Sequence, residues 1–275
     1  QKQTGAIRVV SWNVARFIEL ARNNNAGSNT RKKMLALLKE QKADILCLQE
    51  FHTSENPGFY NNIRAIREEL GFSYHYFPYD KDGDRNYYSS VIFSRFPIVD
   101  SALLRYPRPS QPEVLVQADI QVNNDTIRVF TTHLQSQRFD KLDYARMQKI
   151  KSREDSLVYH SIPIVAKLKR GIVIRSIQAD IIGEVRSNSP YPVLFTGDLN
   201  DVPNSYTYFK VRGELRDAFL EKGYGLGRTF RGLSPTLRID YIFSDARFSV
   251  AQFKREKKNY SDHYMLVADL QLNNP

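Results

Sequence analysis

Short runs of β-branched and aromatic residues alternate, through the first half of the chain, with stretches whose apolar positions recur at helical spacing. Ile7 to Asn13 reads as a strand. Ser28 or Asn29 supplies an N-cap for a helix through about Glu40, with Met34, Leu35, Leu37 and Leu38 as its apolar positions. Asp44 to Leu48 reads as a short buried strand, and Pro57 to Leu70 as a second helix ended by Gly71. Strands are expected near Phe72 to Phe77, Ser89 to Phe93, Leu115 to Val122 and Thr126 to Thr132, with a hairpin turn at Asn123-Asn124-Asp125. Consecutive strands without intervening helices imply antiparallel pairing.

Gln137 to Asn188 breaks this rhythm: it is long, charged and largely of helical pattern, with Pro163 and Gly171 as expected breaks. A strand Pro192 to Thr196, a helix from about Asn204, and strands near Ile239 to Phe243, Phe248 to Phe253 and Met265 to Leu272 follow. Nothing in the pattern marks a linker. The expectation is one α/β domain over residues 1–275 with mostly antiparallel or mixed sheets.

Composition changes this picture in one respect. Lys and Arg outnumber Asp and Glu by 40 to 30, a net charge of +10, which favours polyanionic partners: nucleic acid, phosphorylated small molecules or an anionic membrane surface. The one cysteine, Cys47, lies in an apolar run and reads as a buried structural thiol. The longest apolar stretch, Gly171 to Val185, is interrupted by Arg175, Asp180 and Glu184 and does not reach the ~20 residues of a membrane span.

Candidate chemistry gathers where strands end. Asn13 closes the first strand, Glu50 follows the second, His133 follows Val129 to Thr132, and Asp198 and Asn200 follow Val193 to Gly197. Asp262 and His263 precede the last strand. Strand ends are where a rigid sheet presents groups to a shared cleft. Asp198 and Asn200, two apart, share a face if the backbone there is extended. Asp262 and His263 can serve one site only if their segment turns. Asp240, flanked by apolar residues, needs a buried partner, and a histidine is a natural one. Each residue alone has an ordinary reading: a surface charge for Glu50, a turn or cap for Asp198, a satisfied buried imidazole for His133 or His263. Together, hard oxygen donors with two histidines and two amides suit phosphoryl transfer with Mg²⁺ or Mn²⁺. Structural-zinc spacing, a phosphate-cradling glycine loop and a serine nucleophile elbow are all missing from the sequence.

Ser11-Trp12-Asn13, Leu48-Gln49-Glu50, Thr132-His133-Leu134, Gly197-Asp198-Leu199-Asn200-Asp201, Arg238-Ile239-Asp240-Tyr241 and Ser261-Asp262-His263 resemble, in order, the motifs of the endonuclease/exonuclease/phosphatase superfamily, the fold of pancreatic deoxyribonuclease. The resemblance runs from residue 7 to about residue 272, is to a bacterial member of unknown substrate, and implies a four-layer α/β sandwich of two facing sheets flanked by helices. It also implies roles. Glu50 would be the principal Mg²⁺ ligand, with Asn13 and Asp262 near the metal. Asp198 would orient or deprotonate the attacking water, and Asn200 would hold that water or a phosphate oxygen. His263 would contact the phosphate with Asp240 orienting it, and His133 would bind phosphate or assist the leaving group. Whether Asp198 or the Asp240–His263 pair is the base stays open. Ala15 departs from the pattern, because some nucleases of the family carry an acid there.

The resemblance implies a metal-dependent hydrolase of phosphate esters, with nucleic acid or nucleotide slightly favoured by charge over phospholipid or inositol phosphate; a non-catalytic scaffold is the remaining class. A monomer is expected. Some bacterial members carry membrane spans ahead of the catalytic domain, so the chain is compatible with being the soluble catalytic part of a secreted or membrane-anchored protein. Nine bases against four acids in residues 138 to 170, and the cluster Lys254-Arg255-Glu256-Lys257-Lys258, read either as solvated faces or as an electropositive rim of the site.

Overall fold

In the computed structural model the described residues are 2–24, 26–107, 113–137, 142, 143, 145, 157–232 and 236–273. Two six-stranded mixed sheets stack face to face. The first contains β1 (Ile7–Asn13), β2 (Ile45–Ser54), β3 (Tyr74–Tyr76), β4 (Asn86–Ser94), β11 (Phe248–Glu256) and β12 (Met265–Leu272), in the order β11-β12-β1-β2-β4-β3. The second contains β5 (Ile98–Arg105), β6 (Val114–Val122), β7 (Asp125–His133), β8 (Val193–Asp198), β9 (Arg216–Asp217) and β10 (Asp240–Ser244), in the order β5-β6-β7-β8-β10-β9. Among the described residues the α-helices with defined bounds are α1 (Ala26–Gln41), α2 (Asn62–Leu70), α3 (Leu157–Ser187), α4 (Tyr206–Arg212) and α5 (Ala218–Lys222). This is the four-layer α/β sandwich expected from the sequence.

Each sheet has one parallel pair near its centre, β1 with β2 and β7 with β8. Parallel neighbours need a crossover, and α1 and α3 provide it. Alternation then sorts the side chains. Val9, Ile45, Cys47, Ile92, Val116, Val129 and Leu194 fill the layer between the sheets. Val10, Leu46, Leu48 and Phe93 meet α1 and α2 on one outer face, and Phe130, Phe195, Tyr241 and Phe243 meet the helices of the other. Cys47 lies in the middle layer, where burial pushes its thiol up to about 12, so it is inert.

Several boundaries differ from the sequence expectation, each for a local reason. α1 begins at Ala26, ahead of the proposed Ser28 or Asn29 cap. β2 runs on to Ser54, because a bulge between Leu48 and Phe51 lets polar residues continue the ladder. α2 starts only after Asn61, whose side chain accepts from the Arg64 amide, and Gly71 ends it in the left-handed region as expected. β5, at the sheet edge with no residue buried, has no clean alternation, so the pattern predicts no strand there. α3 continues through both expected breaks. Gly171 marks close packing instead: a Cβ there would lie 2.5 Å from Gln137 Oε1. Among the described residues no helix is long and apolar enough to cross a membrane.

The edge remote from the strand ends is locked by a buried ion pair. Arg8 Nε donates to Asp269 Oδ1 at 2.6 Å and Nη2 to Oδ2 at 2.8 Å, with both side chains at most 5% exposed. Burial alone would raise the Asp269 carboxyl, but Arg8 and the Gln3 amide hold it below the ordinary carboxylate range. Removing one partner strands the other charge, so Asp269→Ala is expected to cost about 3–5 kcal/mol in urea unfolding, against at most about 1 kcal/mol for Lys254→Ala at the solvent-accessible, partly buried Lys254–Glu256 pair. The sign follows from the lowered carboxyl: the contribution is complete above the ordinary carboxylate range and lost as pH falls through the folded value.

Candidate active site

The two parallel pairs point their carboxyl ends at one edge of the sandwich, where open α/β sheets place ligand sites. From the first pair come Asn13 and Glu50, from the second His133 and Asp198. The antiparallel neighbours contribute from their opposite ends. Asp240 opens β10 directly across from Asp198, and Asp262 and His263 precede β12.

Asn13 is fully buried. Its Nδ2 donates to Glu50 Oε1 and to Asp198 Oδ2, each at 3.1 Å, and its Oδ1 accepts from the Ala15 amide at 3.0 Å. Ala15 to Ile18 then wind left-handed, with φ between 44° and 58°. Left-handed turns cost non-glycine residues about 1–2 kcal/mol each; Phe17, buried edge-on against Phe51, anchors this one. Glu50 sits in the bulge of β2 with φ 48°, which swings its carboxylate out of the ladder while its neighbours stay buried.

His133 Nε2 lies 3.7 Å from Glu50 Oε1 and 3.6 Å from Asp198 Oδ2, and its Nδ1 lies 3.2 Å from Glu113 Oε1, at an angle short of a good hydrogen bond. Asp198 is buried; its Oδ1 accepts from the Asn200 amide at 2.8 Å. Asn200 is not on an extended segment as expected: φ is 50°, and the turn lets its backbone brace Asp198 while its side-chain Nδ2 donates to Leu134 O at 3.0 Å. Gly197, the residue before Asp198, lies close against β7: a Cβ there would lie 2.4 Å from Thr132 O. His263 Nδ1 lies 2.9 and 3.0 Å from the two Asp240 oxygens, and its Nε2 3.6 Å from Asp198 Oδ2. The turn required for Asp262 and His263 is present: Ser261 Oγ donates to Asn13 O at 2.8 Å and accepts from the His263 amide. It leaves Asp262 exposed and His263 buried.

A cleft of about 420 Å³ opens onto Glu50, His133, Asp198, Asn200, Asp262 and His263. Asn13 and Asp240 stand behind that lining. The sequence reading missed two participants. Glu113 lies just before β6 with no motif around it. Arg175 is buried at the cleft wall, its Nε 3.0 Å from Asp201 Oδ2 and its Nη1 donating to Gln135 O; its signal was the charge that interrupts the apolar run of α3. The expected rim is only partly available. Lys254 pairs with Glu256, and Arg255 donates to the carbonyls of Arg228 and Tyr224. Arg138, Lys141, Arg146, Lys149, Lys151 and Arg153 lie outside the described residues.

The site is electrostatically lopsided. Five carboxylates (Glu50, Glu113, Asp198, Asp240, Asp262) surround two histidines. Burial and the neighbouring Asp240 raise the Asp198 carboxyl to about 6, against the opposing pull of His263 and His133. Burial alone would deprotonate His263, but Asp240 and Asp198 outweigh it and carry the imidazole up to about 10. His133 is likewise held well above the ordinary value, with Glu113 overcoming burial. Atoms of Asp198, Asp240 and His263 all lie within 4.8 Å of one another, close enough to surround an ion. His263 Nδ1 is already engaged by Asp240, however, whereas Glu50 and Asp262 present oxygens to the open cleft, which better suits a hard cation.

The sequence profile of the Endonuclease/Exonuclease/phosphatase family matches residues 10–263. No curated protein matches the chain. Among solved structures, the chain is similar to an endonuclease/exonuclease/phosphatase from Beutenbergia cavernae DSM 12333 (TM-score 0.70, 19% identity, 100% of this chain and 72% of that one). It is also similar to a humanized D. rerio TDP2 (0.68, 17%, 97% and 99%). The human Nocturnin catalytic domain with bound sulfate anion is similar to the same degree (0.66, 16%, 98% and 96%).

Asp240→Asn removes the charge that keeps His263 protonated. In an imidazole NMR titration of the metal-free protein, the His263 pKa near 10 is expected to fall to or below the ordinary histidine value; an unchanged value would break the assigned pairing.

Proposed function

This chain belongs to the endonuclease/exonuclease/phosphatase family, and from that membership we propose that it is a divalent-metal-dependent phosphodiesterase, with residues 1–275 serving as one catalytic domain. The observation that carries the reading is the convergence of carboxylates from two sheets on one cleft. An anionic phosphodiester cannot approach Glu50, Asp198 and Asp262 unless a cation offsets them, and two imidazolium groups are too few. Mg²⁺ or Mn²⁺ fits: Glu50 and Asp262 would hold it, with Asn13 beside Glu50, and it would neutralise phosphate oxygens and acidify water.

The chain's own residues divide the remaining work. Asp198, ionised at neutral pH and held from both sides by Asn13 and the Asn200 amide, takes the proton of the attacking water. Asn200, its Nδ2 spent on Leu134, leaves its side-chain oxygen to orient that water. His263, kept protonated and aimed by Asp240, meets the negative charge that grows on the phosphate. His133, whose Nε2 lies 3.6 Å from the same Asp198 oxygen that His263 approaches, assists the leaving oxygen.

Two substrate classes fit this machinery. The +10 charge and the likeness to TDP2, whose D. rerio form is also known complexed with single strand DNA product, support nucleic acid or nucleotide. The apolar wall formed by Leu168, Ile172, Phe230, Leu237 and Ile239 favours an amphiphilic phosphodiester.

Hydrolysis of bis-p-nitrophenyl phosphate tests the chemistry without choosing between them. Activity is expected with Mg²⁺ or Mn²⁺ and none with excess EDTA. Asp198→Ala is expected to lower turnover at least a hundredfold, about 2.7 kcal/mol of transition-state stabilisation, with folding retained. Full activity in EDTA would rule the mechanism out.

A further inference from the structure

α3 is apolar on the side that faces solvent. Ile162, Val165, Leu168, Ile172, Val173 and Ile177 are each 36–61% exposed, and at 100° per residue they fall within one half of the helix circumference. Ile164, Ile174 and Ile182, on the other half, are buried. A helix apolar all round belongs in a core or against a membrane, and an exposed contiguous apolar patch marks an interaction surface. The exposed charges within the span of these side chains, Lys169 and Arg170, are basic; the acids Asp180 and Glu184 lie beyond Ile177, and Asp180 is engaged by Tyr206 and Lys210.

We propose that this face of α3 is a docking surface for an anionic lipid bilayer. The aliphatic side chains enter the boundary between headgroups and acyl chains, and Lys169 and Arg170 contact headgroup phosphates. A bilayer supplies both complements at once; nucleic acid supplies phosphates but nothing to cover six aliphatic side chains. Leu168 and Ile172 belong both to this face and to the wall of the cleft that holds Glu50, Asp198 and His263, so docking sets the cleft at headgroup level. Tyr206, half-exposed with its hydroxyl on Asp180 one turn beyond Ile177, extends the face with an amphipathic ring suited to that depth. The substrate class that follows, a phospholipid headgroup phosphodiester, rests on the phosphodiesterase reading; the docking does not.

The test is co-sedimentation with large unilamellar vesicles of phosphatidylcholine, alone or mixed with phosphatidylglycerol. The native chain is expected to bind the anionic vesicles more strongly and in a salt-dependent way. The combined variant Ile162→Ser/Val165→Ser/Val173→Ser/Ile177→Ser is expected to lose at least about tenfold in binding. Lys169→Glu/Arg170→Glu is expected to abolish the preference for anionic vesicles. Both variants should hydrolyse bis-p-nitrophenyl phosphate as the native chain does. A native chain that ignores both vesicles, or a fourfold variant that binds as well as the native chain, overturns the proposal. So does a native dimer that the fourfold variant converts to a monomer, which would make the face a contact between copies. Vesicle binding without any phosphodiester hydrolysis would sustain the docking and remove the catalytic reading. Faster hydrolysis of single-stranded DNA than of vesicle phospholipid would overturn the substrate class.

Discussion

The two protons of the Asn13 amide hold the candidate site together. One goes to Glu50 on the first sheet and the other to Asp198 on the second. The Ala15 amide fixes which end of the side chain carries them, because it donates to the oxygen. Apolar packing between two sheets is non-directional and does not by itself fix how the polar groups of one sheet face those of the other. A buried amide that bridges carboxylates across the seam sets their spacing where chemistry needs it. Gln49 makes a second bridge one layer deeper, from β2 to Thr131 of β7 at 2.9 Å. The rest of the edge is referred to this seam: Ser261 hangs the Asp262–His263 turn from the Asn13 carbonyl, and the Trp12 indole holds the His263 carbonyl.

The arrangement separates charge by depth. Asp198, Asp240 and His263 are buried and hydrogen-bonded to one another or to backbone, a closed set whose proton affinities are shifted by mutual contact. Glu50 and Asp262 face open water. The outer pair is open to whatever enters the cleft, while the inner set keeps its own contacts. The same logic explains why Arg175, although cationic and at the wall, does not neutralise the site: it is consumed by Asp201 and the Gln135 carbonyl.

Much of this was legible in the sequence because strand ends coincide with motifs. β1 closes on Asn13 as its composition indicates, and the isolated carboxylate Asp240 signals its histidine. What was not legible depends on contacts between distant segments. Asn200 turns left-handed where its amide braces the Asp198 carboxylate, a contact that the two-residue spacing does not announce. The continuation of β2 through Glu50 requires a bulge that no local preference announces. Glu113 acquires meaning only because β6 pairs with β7 and brings it to His133. Pro163 and Gly171 are ordinary helix breakers by type, yet α3 runs through both, and Gly171 does so where Gln137 and Arg175 press against it.

The proposed metal has two candidate seats: the oxygens of Glu50 and Asp262, and the buried Asp198–Asp240–His263 group. Anomalous diffraction from crystals equilibrated with Mn²⁺ decides between them. The account predicts a peak at an oxygen-ligand distance, roughly 2.0–2.6 Å, from the Glu50 carboxylate and on the Asp262 side of the cleft. A peak seated instead between Asp198 and His263, or none at Glu50, would contradict it.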